Sequence, residues 1–270
     1  MATPVQRPLR IAILENDTPQ PDTQARYKSY GGVFTALLTA ASSPLTLPEA
    51  GISITAHDVV SYTPPSSTAT AADGKKEDDN NNDPYPSLDE VDAILLTGSK
   101  HTAFHDDPWI LRLVEYVGEA LRRGVRVVGV CFGHQIVGRA VGAVCAVGGN
   151  GWEVSVTETE LTDKGKEIFG LEKLRIHQMH RDIVETFPAD AIPLGSNQNC
   201  AVQAMYSPGK YITVQGHPEF TQDIITEILE RRHGAGIFPD DVYDSGIKRA
   251  SLEHDGVTVG KAFINFMRHG

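Results

Sequence analysis

A chain of 270 residues with 40% hydrophobic and 22% charged residues can bury a sizeable core and does not have the composition of a disordered segment. Its formal charge is −11 without a cluster of Lys and Arg, which argues against a nucleic-acid partner. Apolar runs such as Val125–Cys131 fall far short of the ~18 residues of a membrane span, and the opening Met1–Arg10 lacks the apolar stretch of a secretory signal. Three cysteines, Cys131, Cys145 and Cys200, form neither a disulfide framework nor a C-x-x-C metal pattern, so a reducing, cytoplasmic location is expected. No metal and no organic cofactor is expected either.

Leu9–Leu14, after Pro8, predicts a buried parallel strand ending at Glu15, Asn16 and Asp17. Tyr27, Tyr30, Phe34, Leu37 and Leu38 recur at three- and four-residue spacing and predict one helix over Gln24–Ala41. Ile52–Val60 predicts the next strand. Residues 64–87 are rich in Pro, Ser, Asp and Asn, and predict a disordered surface insertion. Val91–Leu96 is a strand ending in Thr97, Gly98 and Ser99. Asp107, as N-cap, and Pro108 open a helix that Gly124 stops. Val125–Val130 is the most apolar strand and runs into Cys131, with a helix predicted over Ile136–Val141. Trp152–Leu161 alternates like an antiparallel strand, with Val154 and Val156 against Ser155 and Thr157. Further strands are predicted near Leu174–His177, Ala201–Tyr206 and Tyr211–Gln215, and helices at Gln222–Arg232, Asp240–Arg249 and Val257–Met267. This order predicts an α/β sheet with helices on both faces, in a single domain over 1–270.

The most informative turn is Gly129-Val130-Cys131-Phe132-Gly133-His134-Gln135. It is a G-x-nucleophile-x-G elbow with cysteine in the serine place. Small flanking residues let the strand turn sharply into a helix, whose N-terminus favours a thiolate. A nucleophilic thiol needs a base, and the base an orienting group. Gly216-His217-Pro218-Glu219 follows a strand, and residues two apart in extended chain share a side, so Glu219 can hold His217. The N–H groups of Gly98 and of Phe132, just after the cysteine, could stabilise charge on a carbonyl oxygen. Cys145 and Cys200 lack such surroundings and are expected in the core.

Together these segments resemble the class I glutamine amidotransferase family of the Cys-His-Glu type. Gly129–Gln135 is similar to its nucleophile motif, Gly216–Glu219 to its H-P-E motif, and Leu96–Ser99 with Asp107–Trp109 to its oxyanion loop. The resemblance spans roughly Arg10 to Arg232. It implies a flavodoxin-like three-layer sandwich with a mostly parallel central sheet and a small antiparallel extension. It also implies cleavage of a γ-glutamyl amide through a thioester, with Cys131 as nucleophile, His217 as base and acid, and Glu219 as orienter. Gln135 matches a position that helps hold the substrate. Met179-His180-Arg181-Asp182 resembles the S-H-G-D loop, whose Asp approaches the substrate α-amino group; Arg181 replaces the usual glycine. The expected partner is a small molecule, glutamine or a γ-glutamyl peptide. Two alternatives stay open: a glutaminase subunit delivering ammonia to a separate synthetase, and a non-catalytic binding protein on the same fold.

Overall fold

A computed structural model describes residues 7–64 and 83–270. The chain runs β1 (Leu9–Glu15), α1 (Pro21–Tyr27), α2 (Tyr30–Ser42), β2 (Ile52–Asp58), β3 (Ala93–Leu96), α3 (Pro108–Arg122), β4 (Arg126–Val130) and α4 (Phe132–Ala140). Then follow β5 (Cys145–Val147), β6 (Glu153–Leu161), α5 (Asp163–Phe169), β7 (Lys173–His180), β8 (Asp182–Val184), β9 (Ile192–Ser196), β10 (Ala204–Ser207) and β11 (Tyr211–Val214). Helices α6 (Gln222–Gly234), α7 (Asp240–Arg249) and α8 (Gly256–His269) close the described chain.

The main sheet has nine strands in the order β2-β1-β3-β4-β11-β10-β9-β6-β7. From β2 to β11 neighbouring strands are parallel, and from β11 to β7 they are antiparallel. Strands β3 and β11 are buried along their whole length, which fits their largely apolar sequences. Alternate residues feed two cores. Ile11, Ile13, Val128 and Val130 meet α2 and α8 through Phe34, Leu38 and Phe263. Ala12, Leu14, Ile94 and Val127 meet α3 and α4 through Leu113, Val117 and Ile136. The layering is therefore helix, sheet, helix, as expected.

The structure departs from the sequence expectations in several places. The helix predicted over Gln24–Ala41 is two helices, because Lys28 takes φ 74 and the Ser29 hydroxyl accepts from Gly32 N as a new N-cap. Helix α4 starts at Phe132 rather than Ile136. Asp107 sits at the N-cap of α3 without a side-chain capping bond. Most of the proposed insertion, residues 65–82, lies outside the described residues. Its last part is packed, however. Tyr85 is buried, Asp83 Oδ2 accepts from Arg112 Nη2 at 3.0 Å, and the Tyr116 hydroxyl donates to Pro86 O at 2.7 Å.

The parallel register positions the site. Leu96 of β3 is opposite Gly129 of β4, and Val214 of β11 is opposite Val130. The carboxyl ends of three adjacent strands thus deliver Gly98, Cys131 and His217 to one crevice, where open α/β sheets carry their ligands.

Candidate active site

Cys131 has φ 52 and ψ −105, a positive φ that a non-glycine residue adopts only under constraint. Two bonds impose it. Cys131 N donates to Val214 O at 3.0 Å, and Cys131 O accepts from Gln135 N at 3.1 Å. The turn is so tight that a Cβ on Gly133 would stand 2.6 Å from Leu96 O. The thiol is left at the N-terminus of α4, where unpaired N–H groups carry partial positive charge.

His217 is fixed beside it from both backbone and ring. Its N–H donates to His177 O at 2.7 Å, and its ring stacks on Phe220 with centroids 4.0 Å apart. Ring Nδ1 lies 2.8 Å from Glu219 Oε1, a contact in which both side chains are buried. Burial alone would lower the His217 pKa. The neighbouring Cys131 thiol and Glu219 carboxylate overcome that and raise it to about 10. A Cβ on Gly98 would meet His217 Cε1 at 2.6 Å and Cys131 Cβ at 3.7 Å. Glycine is thus required where the loop after β3 presses on both side chains.

The N–H groups of Gly98 and Phe132 donate to no protein acceptor among the described residues. The loop that carries Gly98 is held firmly. Asn16 Nδ2 donates to Thr97 O at 2.8 Å, and Arg139 Nη1 donates to Ala103 O and His105 O at 2.7 and 2.9 Å. Phe132 stacks on Trp109 of α3 at 5.5 Å.

Cys131 opens into a cavity of about 540 Å³, lined also by Gln135, Trp152, Asp182 and Arg232. Gln135 is on the wall, but its Nε2 donates to Asp182 O at 2.8 Å and to Gln215 Oε1 at 3.1 Å. It braces the Asp182 segment as well as facing the cavity. Asp182 Oδ1 is buried without a hydrogen-bond donor, with Arg181 Nε 3.8 Å away. The structure therefore gathers Gly98, Cys131, Phe132, His217 and Glu219 at one end, with Gln135 and Asp182 on an adjoining wall. Cys145 and Cys200 are buried elsewhere, and burial pushes both thiols up to about 12.

The class-I glutamine amidotransferase family matches residues 70–232. The chain belongs to this family. A glutamine amidotransferase-like protein of Schizosaccharomyces pombe is 32% identical over 262 residues, covering 95% of this chain and 98% of that one. Gamma-glutamyl peptidase 4 of Arabidopsis thaliana is 31% identical over 150 residues, or 53% of this chain and 60% of that one. A glutamine amidotransferase of Thermotoga maritima has the same fold at TM-score 0.68 and 16% identity, covering 97% of this chain and 99% of that one.

Other residues of this class I glutamine amidotransferase-like site were hidden in the sequence. Glu153 is buried and accepts from Thr157, Asn197 and Gln203 at 2.7, 2.6 and 2.8 Å. His180, on the cavity wall, stands 3.2 Å from the same carboxylate. Burial pushes the Glu153 pKa up, but His180, Thr157 and Asn197 together hold it below the usual carboxylate range. Arg232 was read only as the end of a helix, where a basic residue normally complements the dipole. Its position on the cavity wall has no local signal. His101 and His105 stand four apart, but in a loop, against Trp109 and Phe104 respectively. No group of three or more potential metal ligands occurs among the described residues, and no helix there is long and apolar enough to cross a membrane.

Proposed function

We propose that the chain hydrolyses a γ-glutamyl amide, that of glutamine or of a γ-glutamyl peptide, through a thioester on Cys131. The observation that carries this reading is the buried 2.8 Å contact of His217 with Glu219 beside a cysteine held at φ 52. In this scheme Cys131 is the nucleophile, His217 the base and acid, and Glu219 the orienter. The thiolate adds to the γ-carbonyl carbon, and the negative oxygen meets the N–H groups of Gly98 and Phe132. The C–N bond breaks and His217 gives its proton to the leaving nitrogen. Water then attacks the thioester with His217 as base, releasing glutamate. Asp182 receives the substrate α-ammonium group, and Gln135 keeps the Asp182 segment in place.

The γ-glutamyl peptidases among the relatives support hydrolysis over ammonia delivery to a synthetase. The complete set of Cys131, His217 and Glu219 supports an enzyme over a non-catalytic binding protein. Three free cysteines fit a cytoplasmic setting, and the chain is proposed to work as a single domain. The test is release of ammonia and glutamate from glutamine, compared with release of glutamate from γ-glutamyl dipeptides and glutathione, by the isolated chain. Turnover that disappears in Cys131→Ala supports the reading. Turnover that appears only when a synthetase and acceptor are added would favour the ammonia-delivery alternative.

A further inference from the structure

Basic side chains crowd the Cys131 cavity although the chain carries a formal charge of −11. Lys100, Arg181 and Arg231 each have a carboxylate nearby: Asp17 at 2.7 Å, Asp182 at 3.8 Å and Glu227 at 3.2 Å. Arg232 has no such partner among the described residues, and its Nη1 is buried without an acceptor. Its guanidinium lies 5.1 Å from the Trp152 ring centroid and 5.8 Å from that of Phe238. Two rings thus pack against a planar cation whose Nη1 is buried. A desolvated guanidinium with unused donors is costly unless an anion completes it, and its fork matches the two oxygens of a carboxylate.

The location of Arg232 says which part of a substrate it meets. Arg232 also lines a recess of about 30 Å³ beside Gly98, His217, Tyr30 and Asp17. Gln135 and Asp182 line the main cavity but not this recess. In the hydrolase reading His217 gives its proton to the leaving nitrogen, and Arg232 shares the recess that His217 lines, so it lies on the leaving-group side in that reading. Asp17 makes no ion pair with Arg232: its oxygens accept from Lys100, at 2.7 Å from Nζ and 2.8 Å from N.

Resting on the hydrolase reading above, we propose that Arg232 binds a carboxylate on the leaving amine, making γ-glutamyl amino acids and short γ-glutamyl peptides, rather than glutamine, the preferred substrates. The γ-carbonyl carbon forms its bond to Cys131 Sγ as its bond to nitrogen breaks. The His217 proton goes to that nitrogen, and the released amino acid or peptide departs with its carboxylate on Arg232. Burial lowers the Arg232 pKa while Cys131, Tyr30 and Asp17 oppose the change, which agrees with a guanidinium close to the thiol.

The experiment compares kcat/KM for γ-glutamylglycine, γ-glutamylglycinamide and glutamine in the wild-type chain, Arg232→Gln and Arg232→Lys. The wild type is expected to prefer the free acid over its amide by about tenfold or more, the scale of one charge-assisted hydrogen bond. Arg232→Gln should bring that ratio close to one, and Arg232→Lys should leave it between the two. Should Arg232→Gln fail to fold, the wild-type ratio and its fall in Arg232→Lys still decide. Equal wild-type rates on acid and amide, or an unchanged ratio in either variant, overturn the role of Arg232 while the hydrolase stands. A wild-type chain that cleaves none of the three removes the hydrolase reading itself.

Discussion

Two buried histidine–carboxylate pairs lie near Cys131, one with its histidine on the small recess and one with its histidine on the adjoining main cavity wall, and they differ in what surrounds them. His217 and Glu219 sit at the end of the parallel strands, 2.8 Å apart, with Glu219 Oε2 unbonded and Cys131 on the other side of the ring. His180 and Glu153 sit in the antiparallel half, 3.2 Å apart, where Glu153 also serves Thr157, Asn197 and Gln203. Glu219 therefore has one task, the imidazole, whereas Glu153 ties together β6, the loop after β9 and the approach to β10. A histidine beside a carboxylate is common structural currency. Only the first pair adjoins a strained cysteine and two N–H groups unpaired among the described residues, the setting that the proposed acyl transfer requires.

Breaking the first pair's third member gives the largest effect. Cys131→Ala should remove turnover, by more than about a thousandfold, with the melting temperature nearly unchanged. Residual activity above a few per cent would place the chemistry elsewhere. The same variant tests the charge state of His217. Its folded pKa of about 10 lies above its ordinary 6.5, so proton binding favours the fold below roughly pH 6.5 and loses that effect as the pH rises through about 10. Removing the Cys131 side chain should lower the folded pKa of His217 and move that loss to lower pH. A histidine NMR titration that is identical in wild type and Cys131→Ala would show that the thiol does not hold the proton.

Next in size is Glu219→Gln, expected to lower kcat by roughly tenfold to a thousandfold and to change KM less, because an amide can hold the ring but does not stabilise an imidazolium. An unchanged kcat with a lower melting temperature would leave a Cys131–His217 dyad. The smallest effect on rate is expected for Glu153→Gln. It should cost about 1–3 kcal/mol of stability, because the new amide donor faces groups that already donate. Its kcat should stay within about threefold of wild type. A collapse of kcat equal to that of Glu219→Gln would erase the distinction between the two pairs.

The contrast also explains what could be read from the sequence. The parallel half was legible because its inner strands β1, β3 and β4 are largely apolar and buried and the turns that carry Cys131 and His217 are local motifs. The antiparallel half was legible only in part: strands near β6, β7 and β10 are predicted, whereas β9 and α5 are not. Strand β9 contains Pro193 and Gly195, which read as a turn. Helix α5 spans only Asp163–Phe169, too short for a helical period to show. In β6 the alternation fails because Glu153, Val154, Ser155 and Val156 are all buried. Helix α7 covers part of that strand: Ser155 Oγ donates to Gly246 O at 2.7 Å, and Arg249 Nη1 donates to Val154 O and Val156 O. Glu153 and Arg232 became visible only when distant segments met. Their chemistry depends on neighbours, whereas that of Cys131 is announced by the residues on either side of it.

The central claim is the thioester on Cys131. The most direct measurement is intact-mass spectrometry, with peptide mapping, of the chain quenched in acid during turnover of a γ-glutamyl peptide. A γ-glutamyl adduct on Cys131 that vanishes as substrate is exhausted, and never forms in Cys131→Ala, is the predicted result. Turnover without any adduct, in a chain whose Cys131→Ala variant remains equally active, would contradict it.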